Sequence, residues 1–263
     1  MALIEGTSDY APGPVRLSFL VVGGDGRPVE RPLARVFVGN SLDAPPIARS
    51  TARLEPVGVL GGSQDPLDVT HLYVVHVTIP RPGTFALIAE PVGGSPIQAF
   101  GTLTVRKQTQ APTVGSEAIP SRTPTIRSAQ GDLAALTTAQ PPDVALLRTS
   151  VAEALAAHEP FVLTFATPAF CQSRTCGPVV DVVAAVARRL ARTDARFIHV
   201  EIYEHNDPAL GYNRWVGEWR LPKEPFTFLV GRDGRIKAKF EGSVSVDELT
   251  AAVNRFLVPR SVP

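Results

Sequence analysis

The sequence has little net charge and no long apolar run. Lys and Arg number 26 against 25 Asp and Glu, which leaves a formal net charge of +1 at pH 7. No segment gathers basic residues into a long run, so nucleic-acid binding loses its usual electrostatic driving force. No stretch approaches the ~18 consecutive apolar residues of a membrane-spanning helix. We therefore expect neither a nucleic-acid partner nor a membrane span in this chain.

The first residues also lack the features of a secretion signal. Residues 1–6, Met-Ala-Leu-Ile-Glu-Gly, have neither a basic start nor an apolar run. Met1 is the only methionine, which fits a start residue placed before a trimmed mature domain. These residues alone do not determine the compartment in which the protein works.

Length and composition predict a folded chain of more than one part. At about 100–200 residues per domain, 263 residues correspond to one large or two ordinary domains. Hydrophobic residues make up 44% of the chain and charged residues 19%, so each half can bury a core. The 25 Pro and 21 Gly predict many turns and at least one stiff connector.

The first part of the chain has the pattern of an all-β domain. Residues 14–107 consist of short apolar runs separated by turns rich in Gly and Pro. Within residues 71–79, every second position is apolar, which is typical of a half-buried strand. Six or seven such strands predict an Ig-like β-sandwich over residues 1–107. Residues 108–125 carry three prolines and few large apolar residues, which predicts an extended linker.

Residues 126–263 change to alternating helix and strand patterns. Ser150-Val-Ala-Glu153 and Ser245-Val-Asp-Glu248 are capping boxes that open helices. Residues 161–166 form a nearly continuous apolar run, typical of a buried parallel strand. A further helix is predicted from Pro178 to about residue 192, and a helix or helical turn around residues 208–219. The order α-β-α-β-α-β-β-α predicts an α/β domain.

The two cysteines lie at a position in this part that is typical of catalytic residues. Cys171 and Cys176 lie between the apolar strand and the first turn of a helix, where catalytic groups gather in open α/β sheets. The helix N-terminus and the charge of Arg174 favour thiolates there. Residues five apart on a regular helix are too distant for a disulfide, so pairing requires Cys171 in the loop or an unwound first turn. Two thiols without a His/Cys cluster do not support a closed zinc site.

Two stretches carry a family resemblance. Residues 225–236, Pro-Phe-Thr-Phe-Leu-Val-Gly-Arg-Asp-Gly-Arg-Ile, resemble a stretch of the extracytoplasmic thioredoxin-like proteins that serve cytochrome maturation, and so do Phe-Ala-Thr at residues 165–167. The resemblance covers residues 145–260 and implies a thioredoxin-like domain. It further implies that Pro225 follows a cis peptide bond and faces the cysteines, and that the protein works outside the cytoplasm.

The function that this resemblance implies is thiol–disulfide oxidoreduction on protein disulfides. The Cys171 thiolate would attack a partner disulfide, Cys176 would resolve the mixed disulfide, and Pro225 would present the substrate chain. Arg174 and His205 are candidates for tuning the thiols. The partners would be a protein thiol or disulfide and a reductant or oxidant, and no dissociable cofactor is required.

Two departures from the family leave alternatives open. Four residues separate the cysteines instead of two, and residues 161–166 contain no acid that could serve as a base. Glu201 and Glu204 on the neighbouring strand are candidate substitutes. His199, within the same strand, is interpreted as a packed or edge histidine.

The four-residue spacing also resembles that of the Q-type peroxiredoxins, which implies a thiol peroxidase. Those enzymes carry Thr three residues before the reactive cysteine, where this chain has Pro168. A third relative is the Sco-type copper-binding family, in which Cys171 and Cys176 would bind Cu(I). The later histidine of that family is missing, since none follows His205. An inert structural disulfide is the remaining alternative.

Overall fold

A computed structural model describes residues 1–59, 69–170 and 176–258. The chain divides into two units. The first comprises Met1–Pro56 with Val69–Gln110, and the second comprises Val57–Asp68 with Ala111–Pro263.

The first unit is a closed β-barrel. Its strands follow in the order β1-β2-β5-β4-β3-β6-β7 around the barrel. All neighbours are antiparallel except β1 and β7, which pair in parallel at Ala2 and Phe100 and close the ring. The strands are β1 (Ala2–Glu5), β2 (Gly13–Val22), β3 (Leu33–Gly39), β4 (Ala48–Pro56), β5 (His71–Ile79), β6 (Gly83–Pro91) and β7 (Ala99–Val105).

Alternating side chains fill the barrel interior. In β5 the apolar positions 73, 75, 77 and 79 are all buried, which confirms the predicted period of two. Tyr73 stacks on Phe19 at a ring-centroid distance of 5.4 Å. The Tyr73 hydroxyl donates to the Val29 carbonyl and accepts from the Arg31 N–H, so the polar end of this buried side chain is satisfied.

The predicted Ig-like sandwich is wrong, because the seven strands close on themselves and do not form two stacked sheets. A strand in a sandwich and a strand in a barrel each bury one face. The alternation therefore predicts strands correctly without distinguishing the two architectures. The closing pair joins Ala2 to Phe100, and nothing in the local pattern of either segment specifies it.

The second unit contains a four-stranded sheet in the order β11-β10-β8-β9. The central strand β8 is parallel to β9 and antiparallel to β10, and β10 and β11 form an antiparallel pair. The strands are β8 (Phe161–Phe165), β9 (Arg196–Val200), β10 (Phe226–Val230) and β11 (Ile236–Glu241), and the helices are α1 (Val151–Ala156), α2 (Cys176–Arg189), α3 (Arg214–Glu218) and α4 (Val246–Phe256).

Both faces of this sheet are buried. On one face Val162, Phe197 and Leu229 belong to the hydrophobic cluster of α2 and α4. On the other face Leu163 and Phe228 pack in a second cluster around Trp219. Every residue of β8 and β10 is buried, as the continuous apolar runs predict.

The predicted thioredoxin-like α/β class is also wrong. The described chain is predominantly β, with a seven-stranded barrel and a four-stranded sheet. Its helices are few and mostly short: α1 has six residues, α3 five and α4 eleven. The region around residues 208–219 shows one reason, since side-chain caps at Asp207 and Asn213 and the positive φ of Gly211 divide it into a 3₁₀ turn and α3.

Beyond residue 110, the stretch predicted as an extended linker is hydrogen-bonded to other parts of the second unit. The Ala118 N–H donates to the Gly234 carbonyl, and the Ile236 N–H donates to Ser116. Ser121 and Thr123 are buried. Prolines limit the secondary structure of this segment, but several of its backbone groups bond to the hairpin, and the Ser121 carbonyl accepts from the Ala152 N–H of α1.

The capping box that opens α1 forms as predicted. Ser150 Oγ accepts from the Glu153 N–H at 3.2 Å, and a Glu153 carboxylate oxygen accepts from the Ser150 N–H at 2.9 Å. The hydrogen bonds that the Ser150 N–H and the Ser150 hydroxyl donate to this carboxylate lower the pKa of Glu153. Two otherwise unpaired backbone donors at the helix start are thereby satisfied.

We expect Ser150→Ala to lower the free energy of unfolding of the second unit by about 1 kcal/mol, because it removes the acceptor for the Glu153 N–H. Both tryptophans of the chain, Trp215 and Trp219, lie in this unit, so urea unfolding followed by tryptophan fluorescence reports it. Ser116→Ala is the control, because it removes a serine hydroxyl bond to the Thr113 carbonyl in the same unit without removing a helix cap. Equal midpoints for the two variants would contradict the prediction.

Candidate functional site

The predicted cysteine site is only partly within the described residues. Cys171 and Arg174 lie outside them, and Cys176 is the first residue of α2 with its side chain not described. Among the described residues there is therefore no cysteine pair able to form a disulfide, and the structure does not support the predicted one. Predicted roles for the three residues stay predictions.

The backbone nevertheless defines where this segment begins and ends. Strand β8 ends at Phe165, and α2 begins at Cys176. Helix α2 packs on the sheet face of Val162 and leads to β9, which is parallel to β8. A helix that connects two parallel neighbours runs antiparallel to both. The start of α2 therefore lies toward the carboxyl ends of β8 and β9.

Pro225 stands beside the same end of the sheet. The Glu224–Pro225 peptide bond is cis, which confirms that prediction. Phe226, the first residue of β10, pairs with Phe165, the last residue of β8. Pro225 is buried, and its carbonyl accepts from the Gly242 N–H at 2.8 Å. Its predicted contact with a substrate stays a prediction.

A polar row crosses the sheet on the α2 side. Thr164 and Thr227 are fully buried, and their hydroxyl oxygens are 3.1 Å apart. Thr164 lies opposite His199 in the register of β8 and β9. Because side chains alternate along a strand, these residues share the face of Val162 and Phe197. Three polar side chains thus interrupt an apolar layer near the carboxyl ends of the parallel strands.

His199 is held between two groups. Its Nε2 lies 3.1 Å from the Ala166 carbonyl, and its Nδ1 lies 3.4 Å from Thr137 Oγ1. A carbonyl only accepts, so Nε2 carries the proton and Nδ1 is the acceptor of a neutral ring. Burial lowers the pKa of His199, and the nearby charge of Glu201 opposes that shift. The predicted packed histidine is confirmed, since only 3% of the residue is exposed.

Glu201 continues the same face beyond the end of β9. It is 4% exposed, and its Oε1 accepts from the Thr138 N–H at 2.6 Å and from the Thr138 hydroxyl at 2.7 Å. Its Oε2 is buried and has no hydrogen-bond partner among the described residues. The Glu201 backbone carbonyl accepts from Asn213 Nδ2 at 2.6 Å. A buried carboxyl with one satisfied and one unsatisfied oxygen is unusual in a folded protein.

Thr138 connects Glu201 to the segment that precedes Cys171. The Ala169 N–H donates to Thr138 Oγ1 at 3.0 Å. The chain leaving β8 is therefore held at Ala166 by His199 and at Ala169 by Thr138. We term the four residues Thr137, Thr138, His199 and Glu201 the loop clamp.

Two other predicted residues, His205 and Glu204, lie outside the loop clamp. His205 is in the 3₁₀ turn Glu204–Asn206, its side chain is 81% exposed, and its Nε2 lies 3.6 Å from a Glu204 carboxylate oxygen. The structure does not bring His205 or Glu204 into the loop clamp. Of the two predicted substitute bases, only Glu201 joins it.

Sequence reasoning missed Thr137 and Thr138 altogether. They belong to a stretch without a helical or strand period, and 63 residues separate Thr138 from Glu201. No local signal identifies such a pair. For Thr164 and Thr227 a weak signal was present, since each interrupts an otherwise apolar strand.

The described residues lack two kinds of feature. They contain no helix long and apolar enough to cross a membrane, and no group of three or more His, Cys, Asp or Glu residues arranged to hold a metal ion. No protein-family model matches the sequence, and none of the curated proteins matches it either. The function must therefore be argued from the residues of the site.

Proposed function

We propose that the protein is a thiol–disulfide oxidoreductase that acts on protein disulfides, with Cys171 as the nucleophile and Cys176 as the resolving thiol. The observation that carries the proposal is the loop clamp, because it holds the chain that leads to Cys171 at Ala166 through the buried His199 and at Ala169 through the half-buried Thr138. A nucleophile reacts efficiently when its backbone is fixed before the substrate arrives.

The reaction balances without a further reagent. The Cys171 thiolate attacks one sulfur of the partner disulfide, forms a mixed disulfide and releases the second partner sulfur as a thiolate. The Cys176 thiolate then attacks the Cys171 sulfur and releases the first partner sulfur. The partner gains two electrons and two protons, and a Cys171–Cys176 disulfide is left. In the reverse direction the same steps oxidise a partner dithiol.

The position of Cys176 supports the second step. It is the first residue of the fourteen-residue helix α2. Backbone N–H groups in the first turn of a helix have no intrahelical partner, and they stabilise a nearby negative charge. A thiolate is therefore favoured at such a position. The proposal requires no dissociable cofactor, and the partners are a protein thiol or disulfide and a separate reductant or oxidant.

The proposed place of action is outside the cytoplasm. A dithiol that cycles with protein disulfides requires an oxidising compartment, because such substrates persist there. The supporting fact is that the chain has two cysteines and that both belong to the proposed site. The reduction potential of the pair tests the compartment and the reaction together.

The first test is the reduction potential, measured by equilibration in glutathione or dithiothreitol buffers and mass spectrometry of trapped thiols. We expect a reversible couple between about −120 and −270 mV, the range of known thiol–disulfide oxidoreductases. A bridge more stable than about −300 mV, or a pair that never oxidises, would contradict the proposal.

The second test separates the two cysteines. We expect Cys171→Ser to lower the rate of insulin disulfide reduction by about 10³-fold, since the variant lacks the nucleophile and Cys176 acts only in resolving the mixed disulfide. Cys176→Ser should instead trap a mixed disulfide at Cys171, visible by mass spectrometry and released by dithiothreitol. If Cys176→Ser traps nothing while Cys171→Ser does, the two assigned roles are reversed and this assignment is wrong.

A further inference from the structure

The barrel of the first unit carries a cavity of about 540 Å³. It is lined by two residues near the start of β3 and by most of the segment 90–98, which joins β6 to β7. Arg31, Arg35 and Glu90 supply its charged side chains, and Val92 and Ile97 supply its largest apolar ones. A volume of this size falls in the range of roughly 300–1,000 Å³ that small-molecule sites occupy.

Arg31 is held at both ends in this cavity. Its backbone N–H donates to the hydroxyl of the buried Tyr73 at 2.9 Å. Its guanidinium donates from Nη1 to the Pro91 carbonyl and from Nη2 to the Ser95 carbonyl, each at 2.9 Å. A Cβ at Gly94 would lie only 3.1 Å from Nη2, so the loop backbone packs against the head of the side chain. A side chain that is already ordered loses little entropy when it binds a ligand.

The two carbonyls orient the guanidinium without neutralising its charge. No carboxylate of the described residues forms an ion pair with Arg31. Glu90, the acid of the cavity, is already engaged, since its Oε2 lies 2.9 Å from Arg35 Nη2 and its Oε1 accepts from Gln98 Nε2 at 2.8 Å. A guanidinium has five N–H donors, so three remain on Arg31 after its two carbonyl bonds. The cavity therefore has an excess of positive charge and spare donors to go with it.

The walls beside this charge are apolar. Ile97 packs against the core of the barrel, whereas Val92 is 46% exposed. Pro91 and Pro96 complete the apolar lining. A ligand that fits both features carries a negative group for the guanidinium and an apolar body that covers Val92. A planar carboxylate matches the paired donors of a guanidinium in geometry as well as in charge.

We propose that this cavity binds a small organic acid, in which a carboxylate is attached to an apolar chain or ring. Arg31 is the residue that binds the carboxylate, and Val92 and Ile97 contact the apolar body. The site is separate from the proposed thiol–disulfide exchange, because every residue that lines it belongs to the first unit.

The test is an NMR titration of the full chain, labelled with ¹⁵N, with 4-phenylbutyrate as the probe. We expect saturable shifts at millimolar concentrations or below, centred on the amide signals of residues 92–98. Two further probes each lack one half of the ligand: 4-phenylbutyramide has no charge, and inorganic phosphate has no apolar body. Each should bind at least about tenfold more weakly than the acid.

Arg31→Gln should weaken the binding of 4-phenylbutyrate at least about tenfold, because it removes the charged donor. Arg81→Gln is the matched control, since it removes the same charge from the same unit. Arg81 donates to Asn40 Oδ1 and does not line the cavity. Its replacement should leave the dissociation constant within about twofold of the parent, because distant surface charges are screened by salt.

A second variant leaves the contacts of Arg31 in place, because Arg31→Gln also removes the two bonds that hold the loop. Val92→Asp, at an exposed position, adds a carboxylate to the cavity that repels the acid and competes for the guanidinium. It should also weaken binding at least about tenfold. Amide spectra of both variants that keep the dispersion of the parent show that the barrel is folded.

The proposal is overturned if 4-phenylbutyrate does not saturate in the millimolar range, or if its amide or inorganic phosphate binds as tightly. It is equally overturned if Arg31→Gln or Val92→Asp binds the acid like the parent, or if Arg81→Gln weakens binding as much as Arg31→Gln. None of these outcomes involves a cysteine, so they leave the proposed oxidoreductase reaction to its own tests.

Discussion

Trp219→Ala should lower the free energy of unfolding of the second unit by about 3–5 kcal/mol, the range for removing a large aromatic side chain from a core. Trp219 is fully buried. Its ring lies 4.8 Å from that of Phe228 and 5.6 Å from that of Phe165, measured between centroids. The substitution leaves a cavity against two of the strands that form the central sheet, and neighbouring strands cannot collapse into it without losing their register.

Trp219 contributes both apolar packing and a hydrogen bond, and a second substitution distinguishes the two contributions. The indole N–H donates to Ser121 Oγ at 3.0 Å, and the Ser121 hydroxyl donates to a Glu218 carboxylate oxygen at 2.6 Å. Trp219→Phe keeps most of the apolar contact and removes the donor. We expect Trp219→Phe to lower the free energy of unfolding by roughly 2 kcal/mol less than Trp219→Ala does, because it loses a hydrogen bond but leaves a much smaller cavity.

The measurement uses the remaining tryptophan. In either variant Trp215 is the only tryptophan, and it lies in the same unit, so its fluorescence in urea follows that unit and not the barrel. Trp215→Ala, at a half-buried position, is the control and should cost clearly less than Trp219→Ala. A loss below about 1 kcal/mol for Trp219→Ala would contradict the prediction, because a core side chain of this size cannot be removed at that cost.

Sequence reasoning was accurate where structure depends on neighbours in the chain. The strand period in β5 is confirmed, and so is the capping box of Ser150 and Glu153. It was wrong where structure depends on distant pairing. The closing of the barrel requires Ala2 to meet Phe100, and an alternating pattern is equally compatible with a sandwich.

Residues 208–219, predicted as a helix or helical turn, form two short helical pieces and not one continuous helix. Apolar spacing there is compatible with a helix, but short-range hydrogen bonds compete with it. Asp207 accepts from the Ala209 N–H, and Asn213 accepts from the Trp215 and Val216 N–H groups. Asp and Asn side chains favour such local turns over continued helix. The result is a 3₁₀ turn and a five-residue helix.

For the candidate site, the sequence indicates the segment that contains the cysteines but not the side chains that hold the chain leading to it. The cis bond before Pro225 followed from a family resemblance whose implied fold class is wrong, so it was correct without a local physical derivation. The sequence indicates Glu201 as one of two candidate catalytic bases, because it is an acidic residue near the end of a predicted strand. The sequence gives no signal for its partner Thr138. A hydroxyl in an irregular segment has many possible hydrogen-bond partners, and only the tertiary structure determines which one it contacts.

His199 leads to the second large expected effect, which is a pH-dependent loss of stability. Burial holds the pKa of His199 in the folded protein below its ordinary value, which is about 6.5 in an unfolded chain. Below pH ~6.5 the unfolded chain therefore takes up a proton that the folded protein does not. Stability contributed by the neutral ring is complete above that pH and falls by up to about 1.4 kcal/mol per pH unit as the pH is lowered, until the folded protein also takes up the proton.

The variant His199→Gln should flatten this part of the profile, because a Gln amide can donate to the Ala166 carbonyl and does not titrate. His205→Gln is the matched control, since His205 is 81% exposed, and it should keep the slope of the parent. The measurement is urea unfolding by tryptophan fluorescence between pH 5 and 8. Carboxyls with lowered pKa values lose their contributions only below their ordinary values near 4 to 4.5, so they do not enter this window; they are Glu153, Glu159 and Asp233.

Glu201 is the titratable group that acts on His199 in the opposite direction, because its negative charge favours the protonated ring. Replacing it with Gln removes that charge, so Glu201→Gln should steepen or extend the acid loss, whereas His199→Gln should abolish it. Opposite effects of the two substitutions would establish that burial outweighs the neighbouring charge. A parent profile that is flat between pH 5 and 7 would contradict the predicted acid loss, and an identical slope in His199→Gln would mean that another group controls the acid sensitivity of this unit. In that case the neutral-ring hydrogen bond at Ala166 would not be the pH-sensitive anchor of the segment that leads to Cys171.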